Sequence, residues 1–167
     1  MKNLAKIITT LICSITFVSS NLGLECCAQE VKANPYWIDS STGLMWAGKD
    51  NGKAVNLKQA IRYCRDLRLA GYSNWRLGTL AELEGIYNKS SIVAGLAGLE
   101  SNPRPVTRHV KGNLLLTGNQ WANNLSGRTS GCQYYLDFNE GKANNQPSGF
   151  PYSSSFMRAL CVRDSSK

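Results

Sequence analysis

Three side chains in this sequence have the chemistry of a nucleophilic centre. Cys132 could serve as thiolate, His109 as its base and Asp137 as the group that orients the imidazole. No local signature surrounds Cys132, and His109 stands alone in a Gly- and Pro-containing stretch. A triad is defined by geometry rather than by residue inventory, so the expectation is a chain that does not catalyse. Zinc is not expected either, because one histidine and scattered cysteines lack ligand spacing. Neither a phosphate-loop glycine-lysine signature nor a dinucleotide Gly-x-Gly-x-x-Gly is present. No cofactor and no metal are expected.

Binding chemistry is better represented. Arg104, Arg108, Lys111 and Arg128 fall between Ser101 and Leu136, a span without a single Asp or Glu, and Trp121, Tyr134 and Tyr135 accompany them. Guanidinium groups pair with sulfate, phosphate or carboxylate, and an aromatic face can stack on a sugar ring. A second basic set, Lys58, Arg62 and Arg65, shares one stripe of a helix. The whole chain carries a formal charge of +8. Loss of an N-terminal leader would remove Lys2, Lys6 and Glu25 and leave the exported protein basic, and such a protein meets anionic polysaccharide and other extracellular polyanions. Docking on another surface protein, with the charge incidental, is the competing expectation, and export argues against a nucleic-acid partner.

The elements that must position these residues follow a leader. A basic start at Lys2 and Lys6, an apolar run from Ile7 to Val18 and small residues up to Ala28 read as a secretory signal peptide over residues 1–28, with Ser20 as an alternative cut. Residues 29–167 then form one exported domain, secreted or periplasmic, with no membrane span expected. Tyr36 to Asp39 and Leu44 to Ala47 flank a Gly-closed turn and read as a hairpin. Asn56 caps a helix through Leu57, Ala60, Ile61, Cys64 and Leu67, ended by Gly71. Thr79 and Glu82 form a capping box for a second helix. Asn88 to Gly112 reads as a long irregular stretch. Strand-like runs follow at Leu114 to Thr117, Gln120 to Ala122, Cys132 to Phe138 and Met157 to Val162, with a turn at Asn139 to Lys142. The class is α+β: two early helices packed on short antiparallel strands with long loops.

After cleavage at Ala28, Cys64, Cys132 and Cys161 remain, an odd number in an oxidising compartment. The expected bridge joins Cys64 to Cys161, with Cys64 to Cys132 as the pairing that would overturn it. Trp46 is expected to be structural, as are Trp75, packed between the turn and the second helix, and Arg76, tied to a carbonyl or a carboxylate such as Asp39.

Asp39 to Trp46, Ala60 to Cys64, Leu69 to Leu77, Glu82-Leu83, Gly112 to Trp121 and the closing Arg158-Ala159-Leu160-Cys161-Val162-Arg163 together resemble the Lcl C-terminal domain family, over about Tyr36 to Arg163. The resemblance implies a C-type-lectin-like fold akin to the formylglycine-generating enzyme, with the termini together and a helix stapled to the last strand. One adhesin of the family is associated with sulfated polysaccharides, which implies binding. Reactive cysteines of the formylglycine-generating relatives do not carry over, since Cys161 suits the staple. Lectin calcium chemistry does not carry over either. Gln146-Pro147-Ser148 matches its motif only partly, and residues 141–163 hold no carboxylate. Two departures stand out. Gly78 replaces a usual proline and is expected to loosen the start of the second helix, and Trp121-Ala122-Asn123 replaces Trp-Ser-Ser.

Overall fold

The computed structural model describes residues 34–97, 104–123, 132–147 and 155–166. The leader expected over residues 1–28, together with Arg128, lies outside them. The chain is α+β, as expected.

Asp39 organises the first turn. Its carboxylate accepts the Ser41 amide at 3.0 Å, the Ser41 hydroxyl at 2.7 Å and the Thr42 hydroxyl at 3.0 Å. These bonds fold β1 (Tyr36–Asp39) back on β2 (Leu44–Ala47). The sheet order is β1-β2-β10-β3, where β3 is Arg76–Leu77 and β10 is Cys161–Asp164, so the first and last strands of the domain share one sheet. Alternation of side chains then divides the sheet into two faces. Trp46 and Val162 point to one core, which also holds Leu83, Ile86, Val110, Leu114, Leu116, Leu136 and Phe138. Met45, Ala47, Leu77 and Cys161 point to a second core with Ala60, Cys64, Trp75 and Trp121.

Helix α1 (Leu57–Asp66) covers the second face. Asn56 accepts from the Gln59 amide and the Gln59 side chain accepts from the Asn56 amide, both at 2.9 Å, which closes a capping box. The helix stops earlier than Gly71, because Leu67 turns to ψ 134°. Gly71, at φ +82°, instead serves a tight turn with Ala70 at φ 54°, closed by reciprocal bonds between Leu69 and Tyr72. The expected staple is present: Cys64 in α1 is bonded to Cys161 in β10 across 97 residues.

Helix α2 (Leu80–Ile86) follows with the expected Thr79–Glu82 capping box. Gly78 before it does not loosen that start. It is buried against Trp46, and a Cβ placed there would meet the indole at 3.1 Å, tighter than most real contacts. Glycine lets the chain pass under the ring.

Four expectations about strands need correction. The span from Asn88 to Gly112 is not irregular throughout, since β4 (Val93–Ala97) and β5 (Arg104–Arg108) pair as an antiparallel ribbon. Leu114 to Thr117 is not a strand; only an isolated bridge joins Leu115 to Lys49. The run from Met157 to Val162 breaks in two, because β9 (Met157–Arg158) pairs with β6 (Asn119–Trp121) while β10 joins the first sheet. The remaining sheet runs β8-β7-β6-β9, with β7 at Cys132–Asp137 and β8 at Lys142–Pro147. Its β6–β9 pair is parallel, so the strands are not all antiparallel.

Candidate functional site

The cysteine centre is not assembled. Cys132 opens β7 as an exposed free thiol and Asp137 closes the same strand, about 16 Å away at the rise of an extended chain. His109 Nδ1 lies 2.8 Å from the Ser91 carbonyl oxygen, and its backbone amide donates to Phe138. Asp137 instead faces the Arg108 guanidinium, at 4.0 Å. Among the described residues no group of three or more His, Cys, Asp or Glu side chains could hold a metal ion.

Among the described residues of the basic stretch, Arg104, Arg108 and Lys111 do not gather into one surface. Arg108 is only 2% exposed. It ends β5 pointing inward across Gly95, where a Cβ would meet its Cγ at 2.6 Å, and its Nη1 donates to the Asn139 side chain at 2.9 Å. Burial pushes its pKa down, against the pull of Asp137 and Asp50. Trp121 is likewise 1% exposed, its indole N–H donating to the Val55 carbonyl at 2.7 Å and its ring meeting Tyr135 edge to face. Both residues therefore leave the candidate ligand site, because each is spent inside the fold. Lys111 donates to the Gly85 carbonyl at the end of α2. Arg104 is exposed, but it sits at the opposite end of β5 from Arg108.

The face of α1 behaves differently. Lys58, Arg62 and Arg65 are all exposed along the helix. Beside them Gln59, Arg62, Tyr63, Asp66, Leu67 and Arg68 line an open groove of about 470 Å³. Gln59, Arg62, Tyr63 and Asp66 follow helical spacing, which brings positions three and four apart onto one face, and Leu67 and Arg68 lie just past the helix end. The Arg68 guanidinium folds back over the end of the helix, donating to the Leu67 carbonyl at 3.0 Å and the Arg65 carbonyl at 3.4 Å. Arg65 pairs with Asp66 at 3.0 Å. Hydrogen bonding to Arg65 holds the Asp66 carboxyl below its ordinary value, and the charges of Arg62 and Arg68 add to this. Burial, then the Asp50 charge, raises the Tyr63 hydroxyl above its usual 10.0, so it is a neutral donor at physiological pH. Gln59, Tyr63 and Arg68 are the residues that sequence reasoning passed over. The helical period that revealed Lys58, Arg62 and Arg65 also carries Gln59, Arg62, Tyr63 and Asp66.

The structural residues hold their places, with changed partners. Trp46 is fully buried and Trp75 is 3% exposed. Trp75 packs with Ala60 and Cys64 of α1, whereas Leu83 and Ile86 of α2 belong to the other core, so its indole does not fill the angle to the second helix. Arg76 meets Glu82 rather than Asp39, through two bonds of 2.8 and 2.6 Å. Asp39 is already occupied by its own turn. Burial opposes ionisation of Glu82, but the Arg76 fork and the Thr79 amide hold its pKa below the ordinary 4.5.

Together these features define a class: a disulfide-stapled α+β domain whose helix α1 presents a basic groove. A family model, the Lcl C-terminal domain, matches residues 36–163, and the chain belongs to that family. No curated protein and no solved structure matches the chain. No helix among the described residues is long and apolar enough to cross a membrane.

Proposed function

We propose that this is an exported, non-enzymatic binding domain that takes anionic polysaccharide on the outer face of α1, rather than on Arg/Lys-rich loops. One observation carries the reading: the α1 groove sets the half-covered Tyr63 ring beside Arg62 and Arg68, with the Gln59 amide on the same wall. A sugar ring stacks on tyrosine while guanidinium groups take its sulfate or carboxylate. The finer architecture that suits this reading is C-type-lectin-like, supported by the pairing of β10 with β2 and by the staple from α1 to β10. The staple also favours export, as does the leader-like sequence of residues 1–28.

A second reading has its own support. Ile61 and Tyr63 are each 37% exposed on the same helix, which suits docking on a protein partner. Salt separates the two, because polyanion binding weakens steeply as ionic strength rises. The test is retention on immobilised heparin under a salt gradient. Wild type is expected to elute late, and the Arg62→Ala/Arg68→Ala variant early. An Arg104→Ala/Lys111→Ala variant is expected to elute with wild type. If all three elute together at low salt, the docking reading replaces this one. If only the Arg104/Lys111 variant elutes early, the site belongs to the loops.

A further inference from the structure

Four arginines of this domain take part in its packing, and three of them answer to a carboxylate. Arg76 forks onto Glu82. Arg108 lies 4.0 Å from Asp137. Arg158 reaches Asp50 through one hydroxyl, since Thr117 Oγ1 accepts from Arg158 Nε at 3.0 Å and donates to Asp50 Oδ1 at 2.8 Å. Arg163 is the exception. It is 1% exposed, yet no carboxylate among the described residues lies within ion-pair distance. A buried charge without a counter-charge is costly to maintain.

The surroundings of Arg163 leave one side of it chemically unanswered. Nε donates to the Asn74 side-chain oxygen at 2.7 Å. The Tyr72 ring covers one face, with its centroid 3.8 Å from Cζ. Nη1 meets only the Met45 sulfur, at 3.6 Å, which is a weak acceptor. Nη2 has no hydrogen-bond partner among the described residues. The Nη1–Nη2 edge is therefore the open fork of the guanidinium. A flat, two-oxygen anion lying in the guanidinium plane satisfies that fork, while Tyr72 covers the guanidinium from outside.

We propose that Arg163 is the receptor for a single carboxylate group, admitted when Tyr72 moves aside. The parts that must move are built for it. Tyr72 is 37% exposed, and the segment from Ala70 to Asn74 is exposed throughout. Ala70 and Gly71 occupy positive φ just before it, where a small backbone change redirects the ring. Met45 is unbranched and polarisable, and yields its contact readily. This inference is independent of the α1 groove, for it concerns a different side chain and one charge rather than a polymer.

The probe is the Arg163 side-chain Nε–H signal in ¹⁵N-labelled full chain, titrated at constant ionic strength. Acetate tests a free carboxylate, D-glucuronate one carried on a sugar, and sulfate a tetrahedral anion. Saturable displacement of the signal by acetate, and its absence with sulfate, is expected. If glucuronate also saturates, the source includes saccharides; if only acetate does, the site takes small free acids. Tyr72→Ala is expected to lower the apparent Kd for acetate by roughly two- to thirtyfold, since entry no longer requires breaking the Tyr72–Arg163 stacking contact to open the cover. Arg163→Gln removes the signal and serves only to assign it. Saturation by sulfate alone, or no saturation by either carboxylate in both wild type and Tyr72→Ala, overturns the proposal.

Discussion

Helix α1 and the stretch running on from β5 are both rich in basic residues, but they use them in different ways. On α1 the core takes Ala60 and Cys64, so Lys58, Arg62 and Arg65 are left to water by the same helical turn that buries their neighbours. On β5 and just after it, Arg108 and Lys111 find partners in the fold, while Arg104 at the far end of the strand stays exposed. Arg108 crosses Gly95 to reach Asn139 and Asp137, and Lys111 meets the carbonyl of Gly85. Density of charge along the chain thus says little about a surface. What decides is whether the element carrying it also has an apolar face to bury. The disulfide reinforces the contrast, because it ties α1 to β10 while the ribbon β4–β5 has no such tie among the described residues.

The sharpest way to break the contrast is to cut the staple. In the chain-entropy model a bridge closing a loop of this length is worth about 4–5 kcal/mol. Cys64→Ser/Cys161→Ser is expected to lose about that much in denaturant unfolding, with amides of α1 losing hydrogen-exchange protection before those of β7. Protection lost first in β7 would show that the staple is not what holds α1. The next largest effect separates the two kinds of arginine. Arg108→Ala is expected to cost about 2–4 kcal/mol, by opening a cavity and stranding buried polar groups, and to leave heparin retention unchanged. Arg62→Ala is expected to do the reverse, reducing retention while the melting temperature stays put.

Gly78→Ala tests whether the first core is as tight as the second. A methyl group 3.1 Å from Trp46 is expected to cost about 1–3 kcal/mol, seen as a lower denaturant midpoint. A neutral result would mean that Trp46 can shift. The smallest effect is acid sensitivity. Glu82 and Asp39 both have folded pKa values below their ordinary 4.5 and 3.8. Their contribution is present above those ordinary values and is lost as pH falls through the depressed ones. Since Arg76 is 40% exposed, the Arg76–Glu82 pair is worth about 1 kcal/mol at most. Glu82→Gln is accordingly expected to flatten the acid limb of a stability-against-pH curve between about pH 5 and pH 3. An unchanged limb would place the sensitivity elsewhere.

Much of the first half could be read from residues alone because local chemistry determines it. Asn56 with Gln59, and Thr79 with Glu82, announce their helices through side chains a few residues apart, and the Asp39 turn does the same for the hairpin. The second half resists such reading. β8, Lys-Ala-Asn-Asn-Gln-Pro, has no β-branched or aromatic residue, and it is a strand because β7 offers it a row of backbone partners. β4 and β5 carry Gly95 and Pro105, which look like breaks; yet Gly95 makes room for Arg108, and proline is tolerated in an unaccompanied ribbon. The groove on α1 was half visible. Its cations stood out by charge, whereas Tyr63 and Gln59 carry no signal until the helix shows which wall they share.

The order β1-β2-β10 has a mechanical consequence. β2 is antiparallel to both neighbours, so β1 and β10 run in the same direction. Tension applied at Tyr36 and at Asp164 therefore pulls the outer two strands in opposite senses along their length, with β2 between them. The ladders are loaded in shear, and their hydrogen bonds must fail together rather than peel one by one. Stretching the domain from these two points would record a single abrupt rupture, where pulling β1 and β2 apart at Tyr36 and Ala47 would record a low, gradual one. A module laid out this way keeps its shape under tension along its strands.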